Sequence, residues 1–202
     1  MPSTTRSDGA RPARPAYHHG ALRTALLDGA REMLVERGPD GFSLSALARR
    51  VGVSTAAPYR HFADRDALLC ALADEGYVAF GAALDAAVRA SSGPRDRLRR
   101  LGIAYLRYAA ENPAVFAIMF TARLGGTSEV GPPTFRPLVQ AVVDAQASGD
   151  LPADEPTAAI ARTLWASLHG LAVLGERGGL AKLGLDDTPE RLVDDLLALA
   201  LR

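Results

Sequence analysis

Apolar residues in this chain recur at three- and four-residue spacing along almost every periodic segment, and the best helix formers, Ala and Leu, dominate those segments. That period places one side chain per turn on a common face, which a strand cannot use. The fold class expected is therefore all-α. A first helix spans about residues 20–37, with Leu22, Leu26, Leu27, Ala30, Met33 and Leu34 on one face, and Gly38-Pro39-Asp40-Gly41 stops it. Ser43 is suited to cap a short helix carrying Leu44, Leu47, Ala48 and Val51, and Gly52 ends that helix after two turns. Ser54 or Thr55 then caps a third helix through Phe62, in which Pro58 takes the third position, where no intrahelical N–H bond is lost. A long helix over about 65–88 follows, ended by Ser91-Ser92-Gly93-Pro94. Further helices are expected at about 95–110, 113–123, 134–148, 156–176 and 189–201, with a loop from Leu124 to Pro133.

Charge divides the chain where the helix lengths change. The overall net charge is zero, but residues 1–62 carry nine Arg against five acids, a net of +4, and residues 63–202 a net of −4. A basic head on an acidic body is the asymmetry of a protein whose one end meets a polyanion. Residues 1–16, with three Pro and three Arg and no apolar period, read as a flexible basic arm. A single cysteine, Cys70, and four histidines give no metal-ligand spacing, so no metal and no cofactor is implied. His18 and His19 are adjacent, point apart on a helix and lack a third ligand. No uninterrupted apolar run reaches the length of a membrane span, and the N-terminal residues lack a signal-peptide core; no membrane partner and a cytoplasmic location are expected.

Residues 43–62 have the anatomy of a helix-turn-helix: a short amphipathic helix, a turn at Gly52-Val53-Ser54, and a second segment led by the small residues Thr55, Ala56 and Ala57. Small leading residues permit close approach to a major groove about 12 Å wide. Tyr59, Arg60 and His61 offer donors at the groove's rim, where phosphates fix register. An ordinary helical hairpin satisfies the same pattern. The run Gly41-Phe42-Ser43-Leu44-Ser45-Ala46-Leu47-Ala48-Arg49-Arg50-Val51-Gly52-Val53-Ser54, with Pro58-Tyr59-Arg60-His61-Phe62 and Asp66-Ala67-Leu68-Leu69, resembles the tetracycline-repressor (TetR) family without gaps over about residues 17–75. The resemblance implies that Ser43 caps its helix facing a phosphate, that Ser45 lies on the same helix near the DNA backbone, and that Thr55 and Ala56 read bases. It further implies that Tyr59 contacts phosphate, that His61 precedes the core Phe62, and that Arg65 stands at or beside a phosphate-binding position. Pro58 and the entry Tyr17-His18-His19-Gly20 depart from the commonest family pattern.

In the second half, Ile160, Leu164, Leu168 and Leu171 form one stripe, with Trp165, His169, Ala172 and Val173 beside it; Leu192, Leu196 and Leu199 form another. Burial inside one chain and a four-helix dimer interface both produce this periodicity. The resemblance implies a homodimer through about 156–176 and 189–202. The run Trp165-Ala166-Ser167-Leu168-His169-Gly170 also resembles the Trp-His-Gly signature of one C-terminal subtype of these regulators. It implies, too, a small-molecule cavity in this half. Phe80, Tyr105, Phe116, Phe120 and Trp165 are the expected wall, with Tyr105 and His169 as polar anchors; Tyr108, Arg107 and Arg123 are further anchor candidates and Phe135 a further aromatic. Core packing accounts for the same aromatics, and a hydrogen-bonded core histidine for His169.

No Gly-rich phosphate loop, nucleophile–base spacing or carboxylate–histidine cluster marks an enzyme. The expected organisation is an arm at 1–16, a DNA-binding domain at 17–64 and an effector-binding and dimerisation domain at 65–202. The function implied is a homodimeric transcriptional regulator, a repressor released from a palindromic double-stranded operator by a small apolar or amphipathic effector. A helical carrier or enzyme, and a DNA-binding regulator without an effector, are the competing readings.

Overall fold

The computed structural model describes residues 19–121 and 129–200, and among them every regular element is helical. The arm, Tyr17, His18 and Arg123 lie outside these residues. Helix α1, His19–Arg37, buries Leu26, Leu27, Ala30, Met33 and Leu34 along one face. Helix α2, Leu44–Val51, starts where the Ser43 hydroxyl accepts the Ala46 N–H at 3.2 Å. It stops at Gly52, whose φ of 75° lets the Val53 N–H reach back to the Ala48 carbonyl at 2.9 Å.

The expected third helix over 54–62 does not form as an α-helix. Ala57 bonds back to Ser54 at 3.0 Å, and Pro58–Arg60 is a 3₁₀ turn in which the His61 N–H reaches the Pro58 carbonyl at 3.0 Å. Pro58 opens this turn rather than sitting third in a helix. Its missing N–H cannot close a bond to the Ser54 carbonyl, so the segment tightens to three-residue spacing. Neither Ser54 nor Thr55 caps it with a side chain.

Helix α3, Arg65–Arg89, is capped by the Asp64 carboxylate accepting the Ala67 N–H at 2.7 Å, and runs from the turn segment into the body. Helix α4, Pro94–Glu111, is the central element and packs against α3 and the later helices α6, α7 and α9. Helix α5, Pro113–Met119, is shorter than expected and touches both α1 and α3. Its approach to α3 requires Gly76: a Cβ there would lie 2.6 Å from Val115 Cγ1 and 2.9 Å from Met119 Sδ. The Tyr108 hydroxyl donates to the Gly76 carbonyl at 2.8 Å, so α4 also holds α3 at this point.

A 3₁₀ turn, Pro132–Phe135, leads into α6, Arg136–Ser148; α7, Thr157–Glu176, the short α8, Gly179–Lys182, and α9, Pro189–Ala200, complete the body. The four-residue α8 falls between the segments expected as helices at 156–176 and 189–201. Helices α3 and α7 are both long and apolar enough to cross a membrane by length and composition, but nearly half of the apolar window of α3 is buried inside the fold. In α7 only Ala161, Leu164, Leu168 and Ala172 are buried.

Candidate DNA-binding face and effector cavity

The turn segment presents Thr55, Ala56, Tyr59 and Arg60 to solvent, while Pro58 and Phe62 are buried beneath it. Tyr59 is 55% exposed, unusual for a side chain with so much apolar area to hide. Ser43 is exposed with its hydroxyl committed to the α2 cap, and Ser45 and His61 are half-buried. The structure thus brings Thr55 to Arg60 onto one exposed segment. Arg65, in contrast, donates to the Pro39 carbonyl and pairs with Asp66 at 3.2 Å, so it fastens the start of α3 to the loop after α1.

Ion pairs link the helices of this head. Arg50 bridges Glu32 at 2.9 Å and Glu36 at 2.7 Å, tying α2 to α1, and its hydrogen bonds hold the Glu36 carboxyl below the usual carboxylate range. Arg31 reaches Glu75 at 2.7 Å, tying α1 to α3. Arg23, Arg49 and Arg60 have no carboxylate partner among the described residues. The Arg23 guanidinium lies 5.4 Å from the centre of the Phe62 ring, beside the exposed segment. Sequence reading passed over Arg23, because its place beside Phe62 depends on how α1 folds back on the turn.

The body encloses a cavity of about 620 Å³ between α3, α4, α6, α7 and the 132–135 turn. Phe80, Tyr105, Phe120 and Trp165 line it. Phe116 and His169 do not. Phe116 is 2% exposed and stands behind the wall, with ring centroids 5.6 Å from Tyr105, 4.9 Å from Phe120 and 5.7 Å from His169. His169 lies in the same layer, its Nδ1 2.9 Å from the Tyr105 hydroxyl. Burial lowers the pKa of His169 and raises that of Tyr105, so the bond joins two neutral groups. It links the two residues expected as polar anchors to each other. Tyr108 points away, to the Gly76 carbonyl, and Arg107 pairs with Glu190 in a separate groove.

Other lining residues were not anticipated: Tyr77 and Leu84 from α3, Thr134 and Leu138 near the start of α6, and Ala158 and Arg162 from α7. Ala158, Arg162, Trp165 and His169 follow helical spacing, a stripe visible in the sequence once α7 is known to face α3. Leu168, on the apolar stripe of α7, is 5% exposed and lines the cavity, so it faces its own chain's interior. Burial raises the Cys70 thiol pKa, with the carboxylates of Asp74, Asp66 and Asp64 adding to it, which suits a structural thiol.

A helix-turn-helix head joined to an all-helical body defines the architecture of a helix-turn-helix regulator. The C-terminal domain model of tetracycline-repressor-like proteins matches residues 98–200, and the model of the tetR family of bacterial regulatory proteins matches residues 26–72. The chain belongs to this family of helix-turn-helix transcriptional regulators. It is 43% identical over 58 residues to an HTH-type transcriptional repressor of Mycobacterium tuberculosis, a match spanning 29% of this chain and 31% of that protein's length. A protein of unknown function from Rhodococcus sp. RHA1 shares 35% identity and a TM-score of 0.78, covering 94% of this chain and 98% of that one. A bacterial regulatory protein of the tetR family from Rhodococcus RHA1, 20% identical with a TM-score of 0.69, shares the fold over 89% of this chain and 95% of that one.

Proposed function

We propose that the protein is a homodimeric repressor that binds a palindromic operator and is released by a small apolar or amphipathic effector, rather than an enzyme, and that it works in the cytoplasm where its DNA is. One observation carries this reading: α3 begins at the exposed turn segment and lines the effector cavity with Tyr77, Phe80 and Leu84. A ligand that needs α3 in a different position changes the separation of the two recognition segments, which must match successive major-groove turns about 34–36 Å apart. Residues 17–64 then serve DNA binding and residues 65–202 effector binding and dimerisation. The body is assigned to the Trp-His-Gly subtype on Trp165, His169 and Gly170. An open cavity favours an effector over a regulator without one, whose interior side chains would fill.

Selection of bound fragments from random duplexes tests the operator and gives its half-site spacing. Tyr59→Ala should weaken all duplexes alike by about tenfold with unchanged thermal stability, because a phosphate contact carries no sequence information. Thr55→Ala or Ala56→Ser should instead change the recovered sequence. Equal binding to selected and scrambled duplexes removes the operator reading. For release, coupling is reciprocal, so a releasing compound must bind operator-bound protein more weakly than free protein. Calorimetric titrations of equal affinity would refute it.

The dimer is assigned to the outer faces of α7 and α9. Leu174 and Leu199 are 50% and 68% exposed, and a Cβ at Gly170 would meet no atom of its own chain within 4 Å. Leu174→Arg and Leu199→Arg should each give folded monomer on sedimentation, since a guanidinium facing an apolar partner surface is left unpaired. Wild-type sedimentation of both variants puts the interface elsewhere.

A further inference from the structure

The polar groups of the cavity divide sharply between its wall and its rim. On the wall, the Tyr105 hydroxyl is bonded to His169 Nδ1, the Tyr77 hydroxyl donates to the Met119 carbonyl, and Thr134 Oγ1 donates to the Gly131 carbonyl at 2.6 Å. No buried side-chain nitrogen or oxygen among the described residues lacks a partner. The hydroxyls of the wall are therefore already engaged, and most of the surface left for a ligand is aromatic and aliphatic. Arg162 is different: it lines the cavity, is exposed, and has no hydrogen-bond or ion-pair partner among the described residues. It sits one turn from Ala158 and one turn from Trp165, on the stripe of α7 that faces the cavity.

From this division we infer that the effector is an amphipathic anion, with an apolar body in the aromatic cavity and a single carboxylate or phosphate head held by Arg162. The inference rests on the effector reading above and narrows it to a class. An apolar body requires no hydrogen bonds from a wall that has none to give. A polar or multiply hydroxylated body would enter at the cost of its own unpaired groups, or would break the Tyr105–His169 pair. A guanidinium presents a planar fork of donors that suits two oxygens of a carboxylate or phosphate, and an exposed Arg pays little desolvation before binding. A cationic ligand meets the same guanidinium as a like charge, and the cavity lining holds no carboxylate among the described residues to offset it.

The chain's only tryptophan, Trp165, lines the cavity beside Arg162, so its fluorescence reports occupancy directly. Decanoate, decyl phosphate, decanol and decylamine share one apolar body and differ only in the head. Titrated into the full-length protein, decanoate or decyl phosphate should bind about tenfold more tightly than decanol, and decylamine more weakly than decanol. The stronger of the two anions identifies the headgroup. Arg162→Gln should reduce the anion to the affinity of decanol and leave decanol unchanged, with an unaltered helical spectrum because the residue is exposed. Arg162→Glu should reverse the order of decanoate and decylamine. Equal affinity of decanoate and decanol, or an anion preference that survives Arg162→Gln, overturns the inference, as does absence of binding by all four probes. Anion binding that depends on Arg162 but leaves operator affinity untouched would sustain the site and overturn the release reading instead.

Discussion

Raising monovalent salt from about 50 mM to about 200 mM should lower operator affinity by roughly a thousandfold. The estimate follows from which cations of the head are free. Arg31, Arg50 and Arg65 are engaged by Glu75, by Glu32 and Glu36, and by Asp66 with the Pro39 carbonyl. Arg23, Arg49 and Arg60 have no carboxylate partner among the described residues. Arg37, which also lacks an ion pair, acts on the Glu36 carboxylate beside it, so three contacts from each head neutralise about six phosphates per dimer, and each contributes about −0.9 to the slope of log K against log salt. A slope near −5 is the expected result, and Arg60→Ala should flatten it by about 2 because both heads lose a contact. Arg50→Ala should not flatten it, since that side chain serves α1. A shallow slope, or flattening by Arg50→Ala equal to that by Arg60→Ala, would contradict this division of the arginines.

Phe116→Ala should be the costliest truncation around the cavity, at about 3–5 kcal/mol of unfolding free energy. The ring is 2% exposed and packs on Tyr105, Phe120 and His169, so its removal leaves a void that helical backbones on either side cannot close. Against the ~5–15 kcal/mol that stabilises a typical domain, such a loss is a large fraction. Phe135→Ala, which trims a half-buried ring at the cavity's edge, should cost about 1 kcal/mol. Urea unfolding distinguishes them: the midpoint should fall much further for Phe116→Ala, with the slope unchanged. Similar midpoints for the two variants would mean that Phe116 belongs to the cavity lining after all.

Much of the head was legible because its determinants are local. Ser43 caps a helix through a donor three residues away, and Gly52 ends it through carbonyls within five residues, so neither needs the rest of the chain. Pro58 shows the limit of the same reasoning. Its missing N–H leaves the Ser54 carbonyl to Ala57, and the segment tightens to a 3₁₀ turn over Pro58–Arg60 where a helix through Phe62 is expected. In the body, periodicity located α7 and its apolar stripe without saying what each side faces. Leu168 and Leu174 stand on one helix and are equally apolar, yet one lines an interior cavity and the other is half exposed.

The amino-acid order by itself determined most of the helices, the two ends of α2, the basic head and the exposed small residues of the turn segment, because hydrogen bonds and apolar period within a few residues settle those. Only the tertiary structure decided which side chains meet across long separations: Arg31 with Glu75, 44 residues apart, and Tyr105 with His169, 64 apart. It likewise left Arg162 facing an aromatic cavity without a partner among the described residues. Such pairings are set by how packed helices fill space at their crossings, a property of the whole assembly of surfaces that no single segment encodes.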